Sequence, residues 1–184
     1  MDLYSLFKFL HISSAVIWVG GGFVLVLLGM VADRRADKPE FAHVVQNVIF
    51  LSTRFFIPVS LAAFVFGLIA AWLGWGFSQL WVWIGIAGFA ATFCTGLFVL
   101  KPRADKIGVI VAKEGVSESA LAVGRELLQA SKFDYVMLFV VIADMVFKPA
   151  PSDWLLLVIM ALAILAGGVA FLAPLARQAR PAVA

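Results

Sequence analysis

Apolar residues run almost without a break through five stretches of the chain, residues 3–31, 55–75, 80–100, 133–147 and 154–175. A helix needs about 20 apolar residues to cross a hydrocarbon core. The pattern therefore predicts an all-α, polytopic transmembrane helical bundle of five spans in one domain, residues 1–184. The first run is too long for a signal-peptide core and enters Asp33-Arg34-Arg35 with no small-residue cleavage pattern, so it is expected to persist as a span. The fourth, between Lys132 and Lys148, is short, about 22 Å at ~1.5 Å per residue. It crosses if both lysines snorkel or the bilayer thins; the alternative is four spans with a re-entrant fourth segment.

The connections alternate between long and short. Pro39-Glu40 opens a stretch with apolar Phe41, Val44, Val45, Val48 and Leu51 near helical period, which leads directly into span two. Ser117-Glu118 is placed to cap a helix through Leu121, Leu127 and Leu128 that continues into span four. Spans two and four are then extended on one side of the membrane, unless these amphipathic bases lie along its surface. Small residues at four-residue spacing mark packing faces at Gly88, Thr92 and Gly96, and at Ala163 and Gly167. Gly20-Gly21-Gly22 admits a close backbone neighbour, and Pro58 is expected to kink span two.

Charge gives this topology a direction. Arg34, Arg35, Lys38 and Arg54 precede span two; Lys101, Arg103, Lys106, Lys113, Arg125 and Lys132 separate spans three and four; Arg177 and Arg180 follow span five. With five alternating spans all of these fall on one side, leaving Lys8 and Lys148 for the other. Trp72, Trp75, Trp81, Trp83 and Trp154 gather at that opposite side. Both signals predict the N-terminus outside and the C-terminus inside. A hydrophobic share of 64% excludes an ordinary soluble domain, and the mean hydropathy of +1.05 agrees. The single cysteine, Cys94, excludes an internal disulfide and reads as a small buried apolar residue. Scattered basic residues without aromatic interleaving exclude nucleic acid as a partner; the bilayer is the expected one.

The chemistry is concentrated where polar residues interrupt the hydrocarbon. Lys8, His11, Ser14 or Ala15, Trp18 and Gly22 share one face of span one at helical spacing. A histidine inside a span is costly and points to function. Asp144 and Lys148, four residues apart on span four, reach a similar depth to Lys8 and His11. Asp144 is expected either to pair with Lys148 on its own helix or to join an interhelical cluster with Lys8 and His11. The second histidine, His43, lies too far along the chain to reach the same site within one subunit. One haem on His11, with Lys8, Met145 or a partner's residue as second ligand, is compatible with these depths. His11 and Met145 together are also a soft-metal pair. Trp18 reads as core packing unless a flat ligand lies beside it. Arg54 and Asp134 form a plausible boundary ion pair, and no P-loop, nucleophile elbow or zincin motif is present.

Lys8-Phe9-Leu10-His11, then Trp18-Val19-Gly20-Gly21-Gly22, then Arg54-Phe55-Phe56-Ile57-Pro58, resembles a superfamily of small bacterial integral membrane proteins. It includes the copper-resistance protein D domain and the HemJ-type protoporphyrinogen oxidases, together with a branch of predicted integral membrane proteins. The resemblance is clear over roughly the first seventy residues and topological beyond them. It implies a bacterial inner-membrane location and a helical bundle in which His11 is a haem or copper ligand; the HemJ-type enzymes are thought to bind haem b and oxidise a porphyrinogen. Three functions follow as expectations. One is a haem b-binding redox protein, with His11 as axial ligand, Trp18 and Gly22 shaping the pocket, and Lys8 or Asp144 handling protons or a propionate. Another is a copper or small-solute permease using His11 and Met145. The third is a non-catalytic subunit of a homo-oligomer or larger membrane complex.

Overall fold

The computed structural model describes residues 2–35 and 37–178, and all regular structure among them is helical. Five rods run up and down. The first is α1 (Leu3–Arg34). The second joins α2 (Lys38–Leu51) to α3 (Ile57–Gly74), and the third joins α4 (Leu80–Thr95) to α5 (Lys101–Glu114). The fourth is α6 (Glu118–Phe147), and the fifth joins α7 (Trp154–Gly167) to α8 (Ala173–Gln178). Asp2 caps α1 by accepting from the Ser5 amide at 2.7 Å, and Ser117 caps α6 by accepting from the Ala120 amide at 3.4 Å.

Four rods are long and apolar enough to cross a membrane: Leu3–Arg34, Lys38–Gly74, Leu80–Glu114 and Trp154–Leu175. The fourth rod, α6, is unbroken for 30 residues, about 45 Å. Its apolar half carries Lys132, Asp134 and Asp144, which sets it apart from the others. The amphipathic stretches do not lie flat. Phe41 and Val45 of α2, Ala104 and Ile107 of α5, and Leu121 and Leu127 of α6 close a buried core around Ala32 at the end of α1. Burying Phe41 alone contributes about 1.5–3 kcal/mol. The third rod is extended in the same way as the second, through α5, which its charged residues conceal in the sequence.

The three composite rods each contain a five-residue π-helical turn, at Ser52–Phe56, Gly96–Leu100 and Gly168–Leu172. Each ends two residues before a proline: Pro58, Pro102 and Pro174. A proline ring clashes with the carbonyl four residues earlier. Those carbonyls belong to Arg54, Phe98 and Ala170, the middle residue of each turn, so the widened turn is the helix's answer to the clash.

Contact is densest between α1 and α3, and next between α4 and α6. Glycines permit both approaches. Gly67 and Gly74 of α3 lie against His11 and Tyr4, and Gly85 and Gly88 of α4 lie against Met145 and Val141. α7 packs against α6, where Gly167 meets Val136. Of the residues expected on packing faces, Ala163 is exposed, and Gly96 borders open space with no atom within 4 Å of its Cβ position. Cys94 is also exposed on the outer face of α4 rather than buried, because Thr92 takes the inward position. Arg180 lies outside the described residues, as does the Arg177 side chain.

Candidate functional site

Among the described residues, a pair of cavities lies along the seam between the helix pairs. The larger, about 670 Å³, lies towards the tryptophan-rich end between α1, α3, α4 and α6. Lys8, His11, Ala15 and Trp18 line it from α1, and Met145 and Lys148 from α6. Its size is typical of sites for small molecules and cofactors.

His11 is held in one orientation. Its Nδ1 is 2.7 Å from the Ala63 carbonyl of α3; a carbonyl only accepts, so Nδ1–H donates. In the neutral imidazole the lone pair then falls on Nε2, as in a metal-ligating histidine. The contact depends on Gly67, one turn beyond Ala63. A Cβ there would lie 2.7 Å from Nδ1 and 2.8 Å from Cε1.

The mouth of the cavity is cationic and aromatic. Lys148 ends α6 in the left-handed conformation, φ 49°, which carries its Nζ to 4.0 Å from the Trp75 ring and 5.3 Å from Trp81. Lys8 Nζ lies 5.0 Å from the Tyr4 ring, and Trp75 Nε1 donates to the Tyr4 hydroxyl at 3.2 Å. Trp81 is buried rather than part of an outer belt, whereas Trp72, Trp83 and Trp154 are exposed.

The remaining expected site residues divide. Ser14 does not line the cavity; Ala15 occupies that position. Gly22 lines the second cavity instead, beneath Tyr135, whose hydroxyl donates to the Val19 carbonyl at 3.0 Å. Trp18 stands between the two cavities, edge-on to Phe89 at 5.9 Å. The Asp144–Lys148 pair does not form. Asp144 is fully buried, faces Gly85 of α4, and neither carboxyl oxygen has a hydrogen-bond partner. Arg54 and Asp134 do not pair either, since the guanidinium carbon lies 5.3 Å from the Phe50 ring. His43 is exposed on α2, remote from this cavity. No cluster of three or more His, Cys, Asp or Glu suited to a metal ion occurs among the described residues.

The second cavity, about 190 Å³, lies towards the basic end and is lined by Ser60, Thr92, Lys101, Asp134 and Tyr135 among apolar residues. Sequence reasoning missed it, together with Gly67, Tyr4 and the buried position of Trp81. Asp134-Tyr135 inside an apolar run was the available signal.

Apolar rods of membrane-spanning length packed around a cavity define a polytopic integral membrane protein of the helical-bundle class. The chain belongs to the family described as "Predicted integral membrane protein (DUF2269)", whose model matches residues 5–149. That match runs from the first turn of α1 through α6, takes in the lining of both cavities except Tyr4, and ends before α7. No curated protein and no solved structure matches the chain.

Proposed function

We propose that the outer cavity holds a cofactor of the haem b class, which His11 Nε2 would ligate, in a five-span bacterial inner-membrane protein. The observation that carries this reading is the His11–Ala63 hydrogen bond, which fixes the imidazole and reserves Nε2 within a cofactor-sized cavity. The donor set fits the group. Phe64, Phe89 and Trp18 supply apolar, aromatic walls for a flat macrocycle. Lys8 and Lys148 stand at the mouth, where propionate carboxylates require cations. Met145 lines the cavity from α6 as a soft second ligand. Haem bound there supplies one-electron redox chemistry. The resemblance of the first span to the HemJ-type and copper-resistance D groups supports the same ligand.

The test is an optical spectrum of the full chain purified in detergent from haem-replete cells, with and without dithionite. A Soret band that shifts on reduction, and is lost in His11→Ala, is expected; its absence from the wild type overturns the reading. The copper reading is favoured by one observation, that His11 and Met145 line one cavity. Equal copper content in wild type and His11→Ala would refute it.

The five-span arrangement with the N-terminus outside rests on the basic loops and on the length of α6. With Cys94 replaced by serine, a cysteine at Gln79 should react with an impermeant maleimide in intact spheroplasts, and one at Ser117 only after lysis. The reverse pattern would invert the orientation.

A further inference from the structure

Apart from Lys101 and the Trp18 indole, the polar side chains lining the inner cavity offer acceptors to an occupant. Four hydroxyls line it, and each already donates its hydrogen to a backbone carbonyl. Ser60 donates to Ile57 at 3.0 Å, Thr92 to Phe89 at 3.1 Å, Ser131 to Leu127 at 2.9 Å and Tyr135 to Val19 at 3.0 Å. What remains on each oxygen is lone-pair capacity. The fifth group is the Asp134 carboxyl, 7% exposed, whose Oδ1 has no partner.

Three basic side chains on the neighbouring helices are engaged elsewhere, and Lys132 of α6 forms no ion pair among the described residues. Lys101, also in the lining, pairs with Asp105 at 2.6 Å, and Arg103 donates to the Val99 carbonyl and pairs with Glu126. Arg54 lies over Phe50. Among the described residues no basic side chain forms an ion pair with Asp134. A carboxyl buried among apolar walls stays ionised only with a compensating charge beside it, and otherwise takes up a proton.

We infer that the inner cavity is a binding site for a small monovalent cation, either an alkali-metal ion or a primary ammonium group, held by Asp134 with hydroxyl oxygens of the lining. One carboxylate matches one positive charge, and an all-oxygen set matches a hard cation rather than a soft metal. The volume, about 190 Å³, leaves room for the ion and several waters. Lys101 at the lining places the entrance towards the basic end. This site is independent of any cofactor on His11: Trp18, Thr92 and Leu138 line both cavities and stand between them.

The experiment is thermal unfolding of the full-length protein in detergent at fixed ionic strength, titrating sodium, potassium or methylammonium chloride against N-methylglucamine chloride. A saturable rise in Tm of at least about 3 °C is expected for one or more of the small cations. Response to sodium or potassium assigns an alkali ion, and response to methylammonium alone assigns an ammonium group. The rise should vanish in Asp134→Asn and persist in Asp144→Asn, which alters the other buried carboxyl. No small cation exceeding N-methylglucamine in the wild type, or an undiminished response in Asp134→Asn, overturns the inference.

Discussion

Two glycines act by what they leave exposed. A helical side chain leans back over the preceding turn and screens the carbonyls there. At Gly67 and Gly22 that screen is missing, so His11 reaches the Ala63 carbonyl and Tyr135 reaches that of Val19. Gly67→Ala should therefore displace the imidazole and cost about 1–3 kcal/mol, read as a lower Tm. The same change in a His11→Ala background should cost much less, and additive losses would show that Gly67 acts elsewhere. The sequence marked His11 and Gly22 as unusual, because polar and flexible residues stand out against hydrocarbon. It left Gly67 silent, since a glycine's role is set by the neighbour that reaches across it. Asp144 was legible as a buried acid, but not its direction: helical spacing places Lys148 within reach, while the left-handed turn at Lys148 takes the ammonium to Trp75.

At the scale of elements, the rods follow from hydropathy and their joints from proline. Apolar runs marked each of the five rods, and Ser117 marked the start of α6. The continuation of α4 into α5 was hidden, since Lys101-Pro102-Arg103 reads as the end of a span. A helix passes through it because the π turn relieves the clash and Arg103 satisfies the Val99 carbonyl at 3.0 Å. Proline inside a helix costs up to about 3 kcal/mol, of which the wide turn recovers part. Pro102→Ala should thus raise stability by about 1–2 kcal/mol, seen as a higher Tm and slower amide exchange over Gly96–Lys101. A fall in Tm would show that the wide turn is held by its surroundings.

Across the whole molecule, the basic end is tied by charge as well as by its apolar core. Lys38 pairs with Glu118 at 2.5 Å and Arg125 with Asp33 at 2.9 Å, joining α1, α2 and α6. The hydrogen bond and charge of Lys38 hold the Glu118 carboxyl below its ordinary value of 4.5, and the Asp33 carboxylate raises the Arg125 guanidinium. A lowered acid stabilises the fold above its unfolded pKa and loses that contribution as pH falls through the folded one. Melts of Glu118→Gln should lie slightly below wild type at neutral pH and converge with it well below pH 4.5, because the pair is exposed and screened. A gap that persists in acid would assign the difference to packing.

The three wide turns have a mechanical consequence. Phe56, and Gly96 with Leu97 and Leu100, border the inner cavity; Gly168 faces Phe133, the residue before Asp134. All three joints therefore encircle one level of the molecule, while α1 and α6 pass through it unbroken as stiff posts. Bending of a helix concentrates where its hydrogen-bond ladder is interrupted. The bundle is thus built like a knee, with two continuous struts and a ring of hinges around Asp134. Strain applied to the basic end would be felt first as a change in the bore of that cavity.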